Sequence, residues 1–455
     1  MRPRPRFHAT APANWMSDPN GPVLWRGRQH VFYQHNPDSS RWGLMHWGHL
    51  VSDDLVTWHD EGIALRPTPG GADADGSWSG CIRIVDGEPV VFYTGAAGTG
   101  AGHRQSVLRA VGDAGLTGFR PDPVEPVLQP LATATGTLHQ RDPFLIPWDG
   151  GWLMLLGTGL ADGPGGAIAV WHSRDTREWA YRGILFSLPA GGDLDTGPVW
   201  ECPQLVQVDG EWVLLVSVQL PGSPDPLCPY VVWFVGDFDG TRFAPRASGL
   251  FDAGEVVYAS AVSEAADGRP LVWSWIQESP ALRGRGDLGW SGAMALPREL
   301  AVRDGVLVSR PARETDALWD ESLVRRADVE LAPGSGVELA EGVSVYRLRL
   351  AWRDAGPRVV LGRDADGREL VLDATGGASA ATLGAVGLGE VVPGPGRDHV
   401  LDVCVDASIV EVFLDGHALT FRLDVELSAA GAISVAAGGR PVALGGVELR
   451  ALASR

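Results

Sequence analysis

The chain has 455 residues, 45% of them hydrophobic, with 60 glycines and 33 prolines. That length suggests about two or three domains, and the glycine and proline content points to many tight turns joining short strands. The 37 basic residues, all arginine, face 56 acidic ones for a net charge of −19; such a surface repels phosphate backbones and anionic lipid, which excludes nucleic acid and membrane surfaces as partners.

The N-terminus, MRPRPRFHATAPANWM, carries positive charge but no apolar stretch of signal-peptide length. No run of about 18 apolar residues follows, so no transmembrane helix is expected and the reading is a cytoplasmic protein. From there a pattern recurs: a turn with glycine, then a β-rich apolar run. Gly27 precedes VFYQH, Gly87 precedes VVFYTG, Gly150 precedes WLMLLGTG, Gly210 precedes WVLLVSVQL and Gly268 precedes LVWSWIQ. Each predicts a hairpin feeding a buried strand. The glycines are 58–63 residues apart, room for four strands of about 5–6 residues with their turns.

A second repeat lies between these turns. SDDLVTW (Ser52 to Trp58) and HSRDTREW (His172 to Trp179) each join a Ser/Asp turn to a tryptophan, and Gly112 to Phe119 and Gly236 to Phe243 are looser versions. No convincing amphipathic helix falls between residues 20 and 310. Five such units predict a five-bladed β-propeller over 1–310; a pair of β-sandwiches fits the near-constant step less well. PARETDALW (Pro311 to Trp319) is polar and reads as a short helical linker within 311–321. The remainder, 322–455, alternates with period two in VYRLRLAW, RELVLDA, HVLDVCVD and SIVEVFLDG, as in a β-sandwich. The fold class is therefore all-β, and the last domain reads as a structural or sugar-contacting accessory.

Cys81, Cys202, Cys228 and Cys404 form no Cys-x-x-Cys pair and no zinc spacing, so buried free thiols and no metal are expected. The 18 tryptophans outnumber the 12 phenylalanines and 6 tyrosines; most would fill cores, and some could offer faces to sugar rings.

The repeat also aligns chemistry. Eight or nine residues before each repeat glycine stand Asp18 (in NWMSDPNG), Ser79 (in WSG), Asp142 (in RDPF), Glu201 (in WECPQL) and Ala259, beside Tyr258. Equal phase in a propeller means equal radius, and this segment is the first strand of each blade, the one lining the axis. Three acids from three blades would then meet in one funnel. Paired carboxylates suit glycosidic cleavage, one ionised to attack and one protonated to release the leaving group. Crowding them in a partly dry pocket drives their pKa values apart. Metal binding by three acids is the weaker reading, because each is followed by Pro or Cys-Pro.

At these residues the chain resembles glycoside hydrolase family 32, the β-fructofuranosidases: invertases, levanases, inulinases and sucrose-6-phosphate hydrolases. NWMSDPNG resembles the family's WMNDPNG motif; FYQHNP, HWGH, VSDDLVTW, WSG, RDPF, WECP and GWSGAMALPREL follow in the family's order, and SIVEVFLDG resembles a strand of its C-terminal sandwich. The resemblance implies a five-bladed propeller with a β-sandwich and no cofactor. It implies Asp18 as nucleophile, Glu201 as general acid and then base, and Asp142 as stabiliser of the transition state with Arg141 beside it. Trp15, Met16, Ser17, Gln34, Trp42, Trp47, Trp78, Ser79, Tyr258 and Trp290 would line the fructose pocket or its rim.

The chain departs from the family pattern at Ser17, where Asn is usual, at Gln204, where Asp is common, and in VYASA of blade five. Losing a charge at Gln204 should ease ionisation of Glu201. The expected function is a retaining exo-acting β-fructosidase that releases fructose from the non-reducing end of sucrose or short fructans, its partner a small carbohydrate. A fructosyltransferase using the same intermediate and a non-catalytic sugar-binding propeller are the alternatives.

Overall fold

The computed structural model describes residues 4–453 except 99–102, 130–136, 161–162, 164, 193, 223–226, 280–281, 284–288, 394–395, 397, 425–426 and 428–430. The repeat turns organise it. Arg26 and Gly27 have φ of 51° and 80°, and Asp86-Gly87, Asp149-Gly150 and Asp209-Gly210 share this double left-handed geometry. Two consecutive positive φ values make a type I′ turn, whose twist matches that of the strands it joins. The fifth turn differs: Gly268 is left-handed there but Asp267 is not, and the Gly268 N–H donates to the carbonyl of Ala265.

Each turn joins the first two strands of an antiparallel sheet. The pairs are Asn14–Trp25 with Arg28–Asn36, Gly76–Val85 with Glu88–Ala97, and Thr137–Trp148 with Gly151–Leu160. Val199–Val208 with Glu211–Leu220 and Val257–Glu264 with Pro270–Ile276 complete the set. Two further strands extend each sheet outward, giving five blades. The second sequence repeat is the turn between those outer strands. In blade one the Ser52 hydroxyl bonds Asp54, whose Oδ1 accepts from the N–H groups of Val56 and Thr57; Ser173 and Asp175 repeat this in blade three.

The ring closes on itself. Trp290–Ser291, from the blade-five segment, pairs in parallel with Asn14 and Trp15 and so adds a strand to blade one. Facing blades pack apolar side chains, with Phe92, Phe144, Leu155, Ile168, Trp200, Leu214 and Phe234 in the largest shared cluster. Burying each such side chain is worth roughly 1.5–3 kcal/mol.

One irregularity recurs five times. In every first strand one extra residue interrupts the ladder, between Met16 and Pro19, Ser77 and Gly80, Arg141 and Phe144, Glu201 and Gln204, and Tyr258 and Ala261. A bulge inverts the in-out alternation beyond it and lets two consecutive side chains share a face. Asp142, Cys202 and Ala259 sit in these bulges with φ of 60°, 47° and 50°.

Blade five ends at Pro311, and a 3-10 turn spans Arg313–Leu318. The linker expected at 311–321 contains this turn and the start of a strand, Trp319–Leu331. Two six-stranded sheets follow and enclose a core that includes Tyr346, Leu348, Leu372, Val403, Val412, Leu419 and Val435. A buried ionic network joins this sandwich to the propeller. Arg298 bonds Asp252 at 2.8 Å and Glu411 at 2.6 Å, while the His8 ring bridges Asp406 and Glu411 at 2.9 Å each. Burial would push the His8 pKa down, but hydrogen bonds to Asp406 and Glu411 hold it up at about 9.

Candidate active site

The bulges bring the three acids together at the inner end of the blades. Asp18 Oδ2 accepts from the Ser79 hydroxyl of blade two at 2.8 Å. Asp142 Oδ2 accepts from the Cys202 N–H of blade four at 2.9 Å, and its own N–H donates to Thr94 Oγ1 at 2.7 Å, which ties its left-handed backbone in place. The Cys202 thiol lies 3.6 Å from Asp142 Oδ2 and 3.9 Å from Asp18 Oδ2, between the two carboxylates. Glu201, the neighbour of Cys202, accepts from Arg141 Nη1 at 2.7 Å, from the Tyr258 hydroxyl at 2.6 Å and from Gln219 at 3.4 Å. All five blades contribute a residue.

The electrostatics follow from crowding. Burial, and then the charge of Glu201, raise Asp18 from 3.8 to about 6, against the opposing hydrogen bonds from Ser79, its own backbone and Ser17. Burial and the Glu201 charge raise Asp142 as well, while Arg141 and the Cys202 N–H oppose the shift. The Cys202 thiol is pushed far up by burial and by Asp142, so it stays protonated and donates softly to both carboxylates. Removing a proton from Asp18, Asp142 or Cys202 is therefore costly.

The other expected pocket residues divide into two groups. Near the acids, Trp15 donates to Ser17 Oγ at 2.9 Å and lies edge-on to Trp275. Gln34 donates to the carbonyl of Ser77 at 3.2 Å. Trp78 lies under the Arg141 guanidinium at 5.6 Å, and Trp42, 60% exposed, packs edge-on against Trp78. Trp47 is fully buried and acts at one remove, donating to the Trp78 carbonyl at 3.0 Å.

Met16 and Trp290 are elsewhere. Met16 is fully buried against Tyr33, Leu50 and Met294, because the bulge after it turns Asp18 to the axis and leaves Met16 in the core. The guanidinium groups of Arg4 and Arg422 each lie over the buried Trp290 ring, 5.1 Å from its centre. Gln204 spends its amide between blades, accepting from the Val262 N–H at 2.9 Å and donating to the Pro203 carbonyl at 2.8 Å.

Several site residues carry no signal that the repeat phase exposes. Cys202 is adjacent to Glu201, but strict alternation would send it to the opposite face. Trp275 stands opposite Tyr258 in the blade-five register and packs with Cys202 and Trp15. Thr94 and Gln219 come from second strands, outside the aligned phase. Among the described residues no cluster of three or more His, Cys, Asp and Glu side chains has metal-holding geometry, and no helix is long and apolar enough to cross a membrane.

Three carboxylates from three propeller blades, linked through Ser79, Cys202 and Arg141 and flanked by aromatic rings, suit a carboxylate glycosidase. Residues 8–311 match the model of the glycosyl hydrolases family 32 N-terminal domain. A sucrose-6-phosphate hydrolase of Escherichia coli is 32% identical over 364 residues, spanning 76% of this chain and 72% of that one. Two solved structures share the fold over 99% of this chain at 23% identity. They are a sucrose-6-phosphate hydrolase from Lactobacillus gasseri (TM-score 0.82, 93% of that chain) and fructan 1-exohydrolase IIa from Cichorium intybus (TM-score 0.81, 97%). The chain belongs to glycoside hydrolase family 32 and is a β-fructofuranosidase-type hydrolase.

Proposed function

We propose that the enzyme is a retaining exo-β-fructosidase that releases fructose from the non-reducing β-fructofuranosyl end of sucrose or short fructans. The observation that carries this reading is the meeting of Asp18 and Asp142 at the Cys202 thiol, with Glu201, its chain neighbour, close enough that its charge acts on both acids. Asp18, raised to about 6, is mostly ionised at neutral pH and oriented by Ser79, as a nucleophile needs. Its carboxylate attacks the anomeric C2 while the bond from C2 to the leaving oxygen breaks. Glu201 gives that oxygen its proton, and Arg141 and Tyr258 then stabilise the carboxylate that remains. In the second half, Glu201 takes a proton from water, the hydroxide oxygen bonds C2, and Asp18 departs. Asp142 accepts hydrogen bonds from fructose hydroxyls, which strengthen as positive charge spreads over the ring. Incubation with sucrose tests the reading: equal release of fructose and glucose is expected, and no release from any β-fructofuranoside would defeat it.

A further inference from the structure

The pocket wall continues past Trp78 into a cluster that the three acids do not use. The His103 ring lies 5.6 Å from the Trp78 ring. Its Nδ1 contacts the Gly98 carbonyl at 3.2 Å, so this nitrogen donates and Nε2 is left as the acceptor. The Gln105 amide nitrogen then donates to His103 Nε2 at 3.3 Å and to His139 Nδ1 at 3.4 Å. With Nδ1 accepting, the N–H of His139 is at Nε2. Gln105 is 6% exposed and His139 is exposed, so a buried amide fixes an imidazole that solvent and ligand can reach.

Position gives this cluster its meaning. His139 stands two residues before Arg141 on the first strand of blade three, and Arg141 bonds Glu201. Contacts therefore run without a break from Glu201 through Arg141, Trp78 and His103 to Gln105 and His139. The link from the proposed proton donor Glu201 to this cluster thus passes through Arg141 and Trp78.

We propose that His103 and His139, set by Gln105, form the contact surface for a hydroxyl-rich leaving-group sugar. This rests on the fructosidase reading above and names which of its residues contact the aglycone. The His139 Nε2–H is a single donor and the imidazoles offer flat faces, which suit the hydroxyls and C–H edges of a sugar; the His103 N–H is held by the Gly98 carbonyl. Partial desolvation of the ring by its neighbours, and then the charge of Arg141, push His139 down to about 4, so it donates as a neutral ring.

The test compares two leaving groups on one enzyme: sucrose, which fills this surface, and methyl β-D-fructofuranoside, which leaves it empty. His139→Ala, at an exposed position, and Gln105→Leu are measured against wild type. The expected result is a ratio of kcat/KM for sucrose to that for the methyl glycoside about tenfold lower in each variant, the loss of roughly one good contact. Gln105→Leu acts as a positioning change, and its ratio should fall with KM for sucrose rather than with kcat. An unchanged ratio overturns the proposal, whether both rates fall together or neither does. Wild-type turnover of neither compound would defeat the fructosidase reading and this one with it.

Discussion

Replacing Asp18 by Asn should abolish turnover and yet make the protein more stable at neutral pH. In the unfolded chain an aspartate ionises at its ordinary value of 3.8, whereas folding raises Asp18 to about 6. The folded state therefore resists ionisation. As pH rises from 3.8 to about 6 the wild type loses stability, and above about 6 the full loss persists. At ~1.4 kcal/mol per pH unit the loss is about 3 kcal/mol at pH 7. The amide side chain of the variant would carry no charge and could still accept from Ser79; its imperfect bonding costs about 1 kcal/mol. The net gain is about 2 kcal/mol, or roughly 4 °C in Tm for a large domain. Calorimetry of both proteins at pH 4 and pH 7, at one scan rate, measures it. The Tm advantage of the variant should be near zero at pH 4 and clear at pH 7. A variant no more stable at pH 7, or one with the same advantage at both pH values, would refute the claim that Asp18 is held in a costly ionised state.

Three further outcomes follow from the same contacts. In Glu201→Gln the proton donor is lost, so kcat/KM on sucrose should fall far more than on activated aryl fructosides, whose leaving group needs no proton. Arg298→Met strands Asp252 and Glu411 as buried charges at the junction of the domains, and denaturant unfolding should show a loss of about 3–5 kcal/mol. Gly292 has φ of 80°, and a Cβ there would stand 1.9 Å from the Met16 carbonyl oxygen. Gly292→Ala must displace the strand that carries Asp18, so kcat on sucrose should fall far more than the Tm does.

Much of this molecule is readable from its sequence because the repeat is punctuated by turn chemistry. Arg26-Gly27 and the three Asp-Gly pairs need two left-handed residues each, and few residue pairs supply them. Equal spacing from those turns then placed Asp18, Asp142 and Glu201 at one radius. Side-chain direction near the bulges was the part that stayed hidden. Met16 and Asp18 are two apart, and alternation alone puts them on one face; the extra residue before Pro19 separates them. The same device lets Arg141 and Asp142, and Glu201 and Cys202, enter the pocket as consecutive pairs. Nothing local to a sequence distinguishes Trp290, contacted by two arginines from distant segments, from a tryptophan facing sugar. Trp275 reaches the site only through its register with Tyr258.

The most direct measurement is covalent trapping at Asp18. Glu201→Gln should form the fructosyl-enzyme from an activated fructoside and hydrolyse it slowly, because no base remains to draw the proton from water. Peptide mass spectrometry of the quenched variant should find one fructosyl unit on the peptide containing Asp18. A fructosyl unit on any other carboxylate, or rapid fructose release from an Asp18→Asn enzyme, would contradict the account.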